Sequence, residues 1–242
     1  MPKFIKALFL TSIFVSALSI ILIILSYLII KPNLPEIKYV DESELQMPLK
    51  VLTKDGVLIG EFGEIKRRAK SFDEIPYYIK GSFLAAEDDN FFNHQGISYA
   101  GLIRSIIRCM RPSGCEGGGG TITMQVVRGY LLTPEQTIHR KIKEIFLALE
   151  LESNISKEEI FELYVNRVFL GNRSYGIEAA ANTYFNKSLE NLSIDESATI
   201  AAIAQLPSRI NPVKNPRRTL QRRNWILSRM LILNYISDEE YK

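Results

Sequence analysis

The feature that most constrains the fold is an uncharged apolar run from Ala7 to Ile30. Its roughly 24 residues are enough for an α-helix to cross a bilayer core of about 30 Å. A cleavable signal peptide has a shorter apolar region of about 7–15 residues, although Val15-Ser16-Ala17 resembles a weak cleavage site. We therefore predict an uncleaved transmembrane anchor over residues 7–30. Lysines are nearly balanced on its two sides, and we expect residues 1–6 to be a short cytoplasmic tail.

The rest of the chain is long enough for one domain with a substantial core. Pro32 and Pro35 disfavour helix, so residues 31–48 are predicted to be a linker and residues 49–242 the folded domain. Two apolar segments flank Lys54-Asp55-Gly56, a pattern typical of a β-hairpin. A net charge of +3 without a long basic run argues against nucleic acid as a partner.

Helical patterns dominate from Ser71 onward, and the predicted fold class is mainly α with a small amino-terminal hairpin. The predicted helices cover residues 99–110, 138–152, 157–169, 176–185, 198–206 and 220–235. The first of these is basic and amphipathic, which fits either a helix at a lipid interface or an ordinary surface helix. The helix at 138–152 is apolar almost all round, so we expect it to be buried.

One carboxylate is conspicuous because Glu87 follows the apolar residues 83–86. A carboxylate in such a setting is costly unless it is solvated, paired or used, and Glu87 is therefore a candidate acid or base. A glycine-rich segment at 117–120 then precedes Thr121, which is expected to cap a helix. Its backbone amides suit an anion, although a flexible hinge is the alternative, and no nucleotide P-loop motif is present.

A second charged group interrupts the apolar helix, where Arg140, Lys143 and Glu144 share one face. These residues are either functional or a structural ion pair between Arg140 and Glu144. Cys109 and Cys115 lack neighbouring histidines and do not predict a zinc site. In an oxidising compartment a local disulfide between them is one expectation, and two thiols is the other.

Four motifs in this order resemble those of the peptidoglycan glycosyltransferases, which are stand-alone enzymes or amino-terminal modules of class A penicillin-binding proteins. The resemblance covers about residues 49–242. The motifs are Glu87-Asp88-x-x-Phe91-x-x-His94-x-Gly96, the segment from Gly118 to Gln125, Arg140-Lys141-x-x-Glu144, and Lys157-x-x-Ile160-x-x-x-Tyr164-x-Asn166.

The resemblance implies a lysozyme-like helical domain that polymerises lipid II into β-1,4-linked glycan strands, with inversion and release of undecaprenyl pyrophosphate. It implies that Glu87 is the general base for the acceptor hydroxyl. Glu144 would be a second catalytic carboxylate that helps to position the leaving group, directly or through Mg²⁺ or Mn²⁺. No cofactor is expected as a strict requirement.

The same resemblance assigns expected roles to the other motif residues. Those expected to bind substrate are Asp88, Thr121, Gln125, Arg128, Arg140, Lys143 and Asn166. Those expected to brace the motif are Phe91, His94 and Gly96. The partly apolar surroundings of Glu87 are expected to raise its pKa toward the range that suits a base.

The expected partners are lipid II, the growing glycan strand, the membrane and other proteins of cell-wall synthesis. The resemblance places a single-pass protein in a bacterial inner membrane with its catalytic domain on the periplasmic face, and it favours the lipid-interface interpretation of residues 99–110. Residues 236–242 resemble the start of a further helix, so a longer, bifunctional protein is expected.

The sequence also departs from the family pattern. Gly120 stands where relatives usually have Ser, Met124 where many have Gln, and Ala204 where Pro is frequent. Gln136 replaces a common Arg, which removes a cation from the expected pyrophosphate path. A muramidase-like hydrolase and a non-catalytic membrane scaffold are the alternative functions. The cations of the motifs favour the transferase, because a hydrolase has no pyrophosphate to neutralise.

Overall fold

The computed structural model describes residues 3–35, 37, 49–55, 58–62, 69–109, 120–133, 135 and 137–242. Within these ranges it is mainly helical, as predicted. The helices are α1 (Lys3–Ile30), α2 (Tyr77–Glu87), α3 (Tyr99–Cys109), α4 (Ile122–Leu131), α5 (Ile138–Asn154), α6 (Lys157–Arg167), α7 (Ile177–Phe185), α8 (Ile194–Gln205), α9 (Pro216–Ile232) and α10 (Asp238–Tyr241).

Two short strands form the predicted hairpin. Strand β1 (Leu49–Leu52) pairs antiparallel with β2 (Leu58–Phe62), with an irregularity in the register between Val51 and Leu52. The pair is the only sheet among the described residues, and it precedes the helices that form the core.

Helix α1 contacts the folded domain near its carboxyl end. The ring of Tyr27 packs edge-on against Phe146 of α5, with 5.2 Å between the centroids. Ile30, the last residue of α1, is buried. Within the part of the chain that the structure describes, no helix is both long and apolar enough to span a bilayer.

Two groups of helices make the core. Helix α2 packs against α8 and α9, while α4 packs against α5 and α6. Phe83 of α2 joins the groups because its ring meets Tyr164 of α6 edge-on, with 6.0 Å between the centroids. This arrangement brings the carboxyl end of α2 close to α4, α6 and α9, and the polar residues that follow α2 therefore enter a largely apolar interior.

Local sequence explains where several helices begin. Ser156 and Ser193 start α6 and α8 with capping boxes, in which Glu159 and Glu196 return hydrogen bonds to the cap residues. Pro216 occupies the first turn of α9, where its missing N–H has no cost. These signals place the start of α8 and α9 about four residues before the predicted ones.

The expectation that α5 is buried almost all round was wrong. Leu147, Ala148 and Leu151 are buried, but Leu149 is 40% exposed. Helix α5 is therefore amphipathic, and its apolar side chains are buried on the side that packs against α4. Glu144 lies on that buried side.

Candidate functional site

The first predicted carboxylate, Glu87, is the last residue of α2. Gln125 of α4 donates a hydrogen bond from Nε2 to Oε2 of Glu87 over 3.0 Å. The other oxygen, Oε1, is buried and accepts no hydrogen bond from any described group. The contact between α2 and α4 thus fixes one oxygen and leaves the other available for a reacting group.

Burial raises the pKa of Glu87 above its usual value, and the negative charge of Asp88 adds to this effect. The hydrogen bond from Gln125 and the positive charges of Arg222 and Arg128 act in the opposite direction. Because burial dominates, the net pKa shift is upward, as the sequence predicted. A carboxylate with a raised pKa is a stronger base than a solvated one, which suits proton abstraction.

Asp88 joins three segments of the chain at one point. Its Oδ2 accepts a hydrogen bond from the backbone N–H of Ile122 over 3.1 Å and lies 2.9 Å from Nε2 of His94. Ile122 is the first residue of α4, so the carboxylate also meets the positive end of that helix. His94 therefore braces the motif through Asp88, and the Asp88 carboxylate is already engaged by protein groups.

Thr121 caps α4, as predicted, because its side chain accepts a hydrogen bond from the backbone N–H of Met124. Its hydroxyl donates to the carbonyl of Gly96 over 2.6 Å. Gly96 has a φ of 81°, and a Cβ there would lie 2.7 Å from the carbonyl oxygen of Ala148. Only glycine suits this position, where the loop after α2 meets both α4 and α5.

A cavity of about 560 Å³ opens beside Glu87. Its wall includes Asp89 and three arginines that come from α3 and α9. These arginines are Arg104, Arg222 and Arg229. Arg229 pairs with Asp89, and the only tryptophan of the chain, Trp225, lines the cavity as well. The wall therefore combines both signs of charge with an aromatic ring, a surface suited to a polar, charged substrate.

The second predicted carboxylate, Glu144, is 1% exposed and engaged on both sides. Arg140 contacts Oε1, and Nζ of Lys141 lies 2.9 Å from Oε2. The structural ion pair considered from the sequence is thus present, with a second cation that the sequence did not indicate. Lys141 also approaches the cavity, since its Nζ would lie 3.7 Å from a Cβ on the wall residue Gly120.

These contacts do not fit a divalent cation at Glu144. Both of its oxygens already meet a cationic side chain, which would repel a metal ion. No group of three or more His, Cys, Asp or Glu residues that could hold a metal occurs in the described part of the chain.

Several predicted residues lie apart from the cavity wall. The side-chain amide of Asn166 makes two hydrogen bonds with the backbone of Lys70, at 3.0 and 2.9 Å, and its expected substrate contact stays a prediction. Phe91 is buried and packs edge-on against Phe92. Residues 110–119 and 136 lie outside the described ranges, and with them Cys115, most of the glycine-rich segment and Gln136.

Sequence reasoning missed the contribution of α9 to the site. Arg222, Trp225 and Arg229 recur at spacings of three and four residues, which places them on one face of the helix. That periodicity was visible in the sequence, but nothing in it indicated which element the face would meet. Tyr164 was also missed as a neighbour of Glu87; burial raises its pKa well above the usual value, and the charge of Glu87 adds to the effect.

Comparison with known proteins decides the family. The family model described as Transglycosylase matches residues 55–231, which is most of the chain. The chain belongs to the transglycosylase family. The matched residues include Glu87, Asp88 and the capped start of α4, so the cavity lies within the part shared with the transglycosylase family. The resemblance found in the sequence is confirmed, as is the prediction of an enzyme that transfers glycosyl groups.

Penicillin-binding proteins 1A are among the similar proteins. That of Pseudomonas aeruginosa is 48% identical over 217 residues, which cover 90% of this chain and 26% of the relative. That of Escherichia coli is 39% identical over 215 residues, which cover 89% and 25%. The crystal structure of penicillin-binding protein 1A from Haemophilus influenzae matches with a TM-score of 0.47 and 33% identity, over 82% of this chain and 20% of that one. The chain thus spans about a quarter of the length of these relatives.

Proposed function

We propose that this chain polymerises lipid II into β-1,4-linked glycan strands with inversion at the anomeric carbon and release of undecaprenyl pyrophosphate. The observation that carries the proposal is the Glu87 carboxylate, which has a raised pKa and lies beside a cavity lined by arginines. Membership of the transglycosylase family supports the reaction class. A lysozyme-like arrangement of the helices is part of the same proposal.

In the proposed reaction, Glu87 takes the proton from the 4-hydroxyl group of the acceptor sugar. The oxygen then attacks the anomeric carbon of the donor, and the bond from that carbon to the pyrophosphate oxygen breaks. Negative charge grows on the leaving group, so nearby cations lower the barrier. Gln125 keeps one carboxylate oxygen in place, which leaves Oε1 to accept the proton.

The leaving group needs cations, and Lys141 is well placed to supply one. It approaches the cavity wall at Gly120, while Glu144 holds both Lys141 and Arg140. We assign Glu144 the role of fixing these cations, which supports its expected effect on the leaving group without a metal ion. Arg128 and Lys143 are proposed to add charge, and Arg128 is exposed and near enough to affect the pKa of Glu87.

A lipid-linked substrate requires a cavity that opens near the membrane, and α3 supports this part of the proposal. Ser98, Gly101 and Arg104 line the cavity. Tyr99, Ile103 and Ile107 follow at intervals of four along the same helix and are 75%, 58% and 52% exposed. We propose that this apolar stripe, Tyr99–Ile103–Ile107, lies in the lipid interface.

The proposed membrane arrangement combines this stripe with an anchor. The uncharged run of residues 7–30 supports a single span, and the helix α1 that contains it runs to Ile30. We propose that the catalytic domain faces the periplasm, where lipid II would be consumed. Other proteins of cell-wall synthesis remain proposed partners.

The proposed reaction is tested by incubating the detergent-solubilised chain with labelled lipid II, with and without moenomycin, and separating the products. We expect moenomycin-sensitive polymers that lysozyme digests. Cleavage of preformed glycan without polymer formation would support a hydrolase instead. A folded chain that produces neither polymer nor cleavage would support the non-catalytic scaffold.

The interface proposal predicts how a tryptophan on α3 responds to lipid. In a Trp225→Phe background, Ile103→Trp should be strongly quenched when the chain is reconstituted into bilayers of brominated lipid. Ile232→Trp is the matched control, because Ile232 is 66% exposed and lies on α9. Equally weak quenching at both positions would contradict the placement of the α3 stripe in lipid.

A further inference from the structure

Arg222 of α9 contacts the carboxyl end of α2 through a hydrogen bond to its backbone. Its Nη2 donates a hydrogen bond to the carbonyl of Ala86 over 3.1 Å, directly before Glu87. Its guanidinium also lies 4.0 Å from the ring centroid of Trp225, one turn further along α9. The stacking and the hydrogen bond hold the guanidinium in one orientation beside the carboxylate.

The Ala86 carbonyl belongs to the last turn of α2, where carbonyl groups have no partner within the helix. Arg222 satisfies this carbonyl and places a positive charge at the negative end of the helix dipole. Without that charge, the dipole and the buried surroundings would both disfavour an ionised Glu87. Arg222 thus contacts the backbone directly before Glu87 and also places a positive charge near the Glu87 carboxylate.

Groups from several elements face Glu87, and they do not act alike. Gln125 and Arg128 come from α4, Tyr164 from α6 and Arg222 from α9, while Asp88 is its neighbour in the chain. Arg128 is exposed, so water screens its charge, whereas Arg222 is partly buried at the cavity wall. Burial lowers the pKa of Arg222, and the charge of Glu87 opposes this effect.

We propose that Arg222 is a positioning residue for Glu87, which orients the end of α2 and holds a positive charge beside the catalytic carboxylate. Its importance for catalysis rests on the proposed function, whereas its effect on Glu87 does not. Arg222 also lines the cavity. The inferred effect on Glu87 is separate from any charge that Arg222 adds to the cavity wall, and it should appear in the pH dependence of Glu87.

The neighbouring Arg223 provides a matched control on the same helix. Its guanidinium bonds the side chain of Asn224 at 3.1 and 3.0 Å and lies 3.8 Å from Asp195. Arg222→Met and Arg223→Met therefore remove the same charge and the same kind of side chain from different faces of α9. Arg222→Lys keeps the charge but loses the planar group that stacks and donates in a fixed direction.

The direct test is a titration of Glu87 in the full chain, labelled with ¹³C at glutamate side-chain carboxyls and solubilised in detergent. The signal of Glu87 is assigned by its loss in Glu87→Gln. We expect its titration midpoint to move to higher pH in Arg222→Met, to move less in Arg222→Lys, and to stay unchanged in Arg223→Met. An unchanged midpoint in Arg222→Met, or in Arg222→Gln where Arg222→Met does not fold, would overturn the proposal.

The second test is the pH profile of kcat/KM for polymerisation of lipid II. The active base is the ionised form, so a higher pKa moves the acidic limb of the profile to higher pH. Arg222→Met should lose on the order of tenfold in kcat/KM on the acidic limb and recover most of this loss as pH rises beyond that limb. A uniform loss at every pH would indicate a merely structural role and contradict the proposal. If the wild-type chain makes no polymer, the proposed function fails, while the titration still tests Arg222.

Discussion

Glu87→Gln is expected to abolish glycan polymerisation while leaving the chain folded. An amide cannot take the proton of the acceptor hydroxyl, and loss of a general base lowers rates by about 10²–10⁴. The fold should persist because the amide oxygen of the new side chain still accepts the hydrogen bond from Gln125. Polymerisation of labelled lipid II and far-UV circular dichroism measure the two effects.

The same substitution should stabilise the chain at neutral pH. Because burial raises the pKa of Glu87, the folded state binds this proton more tightly than the unfolded state. The wild type therefore loses stability as pH rises from the usual pKa of glutamate through the raised one, whereas Glu87→Gln does not. The difference in the free energy of unfolding should grow in favour of Glu87→Gln as pH rises above about 4, the usual pKa of glutamate.

Glu150→Gln is the control for both measurements, because Glu150 is exposed on α5. It should polymerise lipid II normally and show no such pH-dependent gain. Near-normal polymerisation by Glu87→Gln would contradict the assignment of Glu87 as the general base. A loss of stability that grows with pH would contradict the raised pKa.

The existence and type of the helices were predictable from sequence, but several boundaries were not. Helix α8 was predicted from its apolar stretch, whereas its true start depends on the capping box of Ser193 and Glu196. Helix α6 was predicted to reach residue 169, yet it ends at Arg167. Phe169 forms a bridge with Tyr175 across a short turn, and this local pairing takes the chain out of the helix earlier than the apolar pattern suggested.

The site shows a similar division between local and long-range information. The unusual setting of Glu87 and the cap at Thr121 are local, and both were predicted. The partners of Glu144 were predicted only in part, because Lys141 at three residues is as well placed as Arg140 at four. The approach of Arg222 to Ala86 spans 136 residues, and periodicity along one helix cannot show it.

Asp88→Ala is expected to have the largest effect on stability of the changes considered. Asp88 is buried and accepts hydrogen bonds from the start of α4 and from His94. Alanine would leave the N–H of Ile122 and the ring of His94 without this partner at a largely buried position. The cost should be about 2–4 kcal/mol in the free energy of unfolding, measured by urea denaturation in detergent with the fluorescence of Trp225 as the probe.

Two further variants test whether the loss comes from the hydrogen bonds of Asp88 or from the removal of any carboxylate. Asp88→Asn retains an oxygen that can accept from both the N–H of Ile122 and His94, because both wild-type contacts go to the same oxygen of Asp88, so it should lose less than Asp88→Ala. Asp73→Ala removes an exposed carboxylate from the turn before α2 and should change stability by no more than about 0.5 kcal/mol. An Asp88→Ala chain as stable as Asp73→Ala would show that the junction of α2, His94 and α4 does not depend on this carboxylate. A measured loss would show that Asp88 stabilises the fold directly beside Glu87, the residue proposed to carry the chemistry.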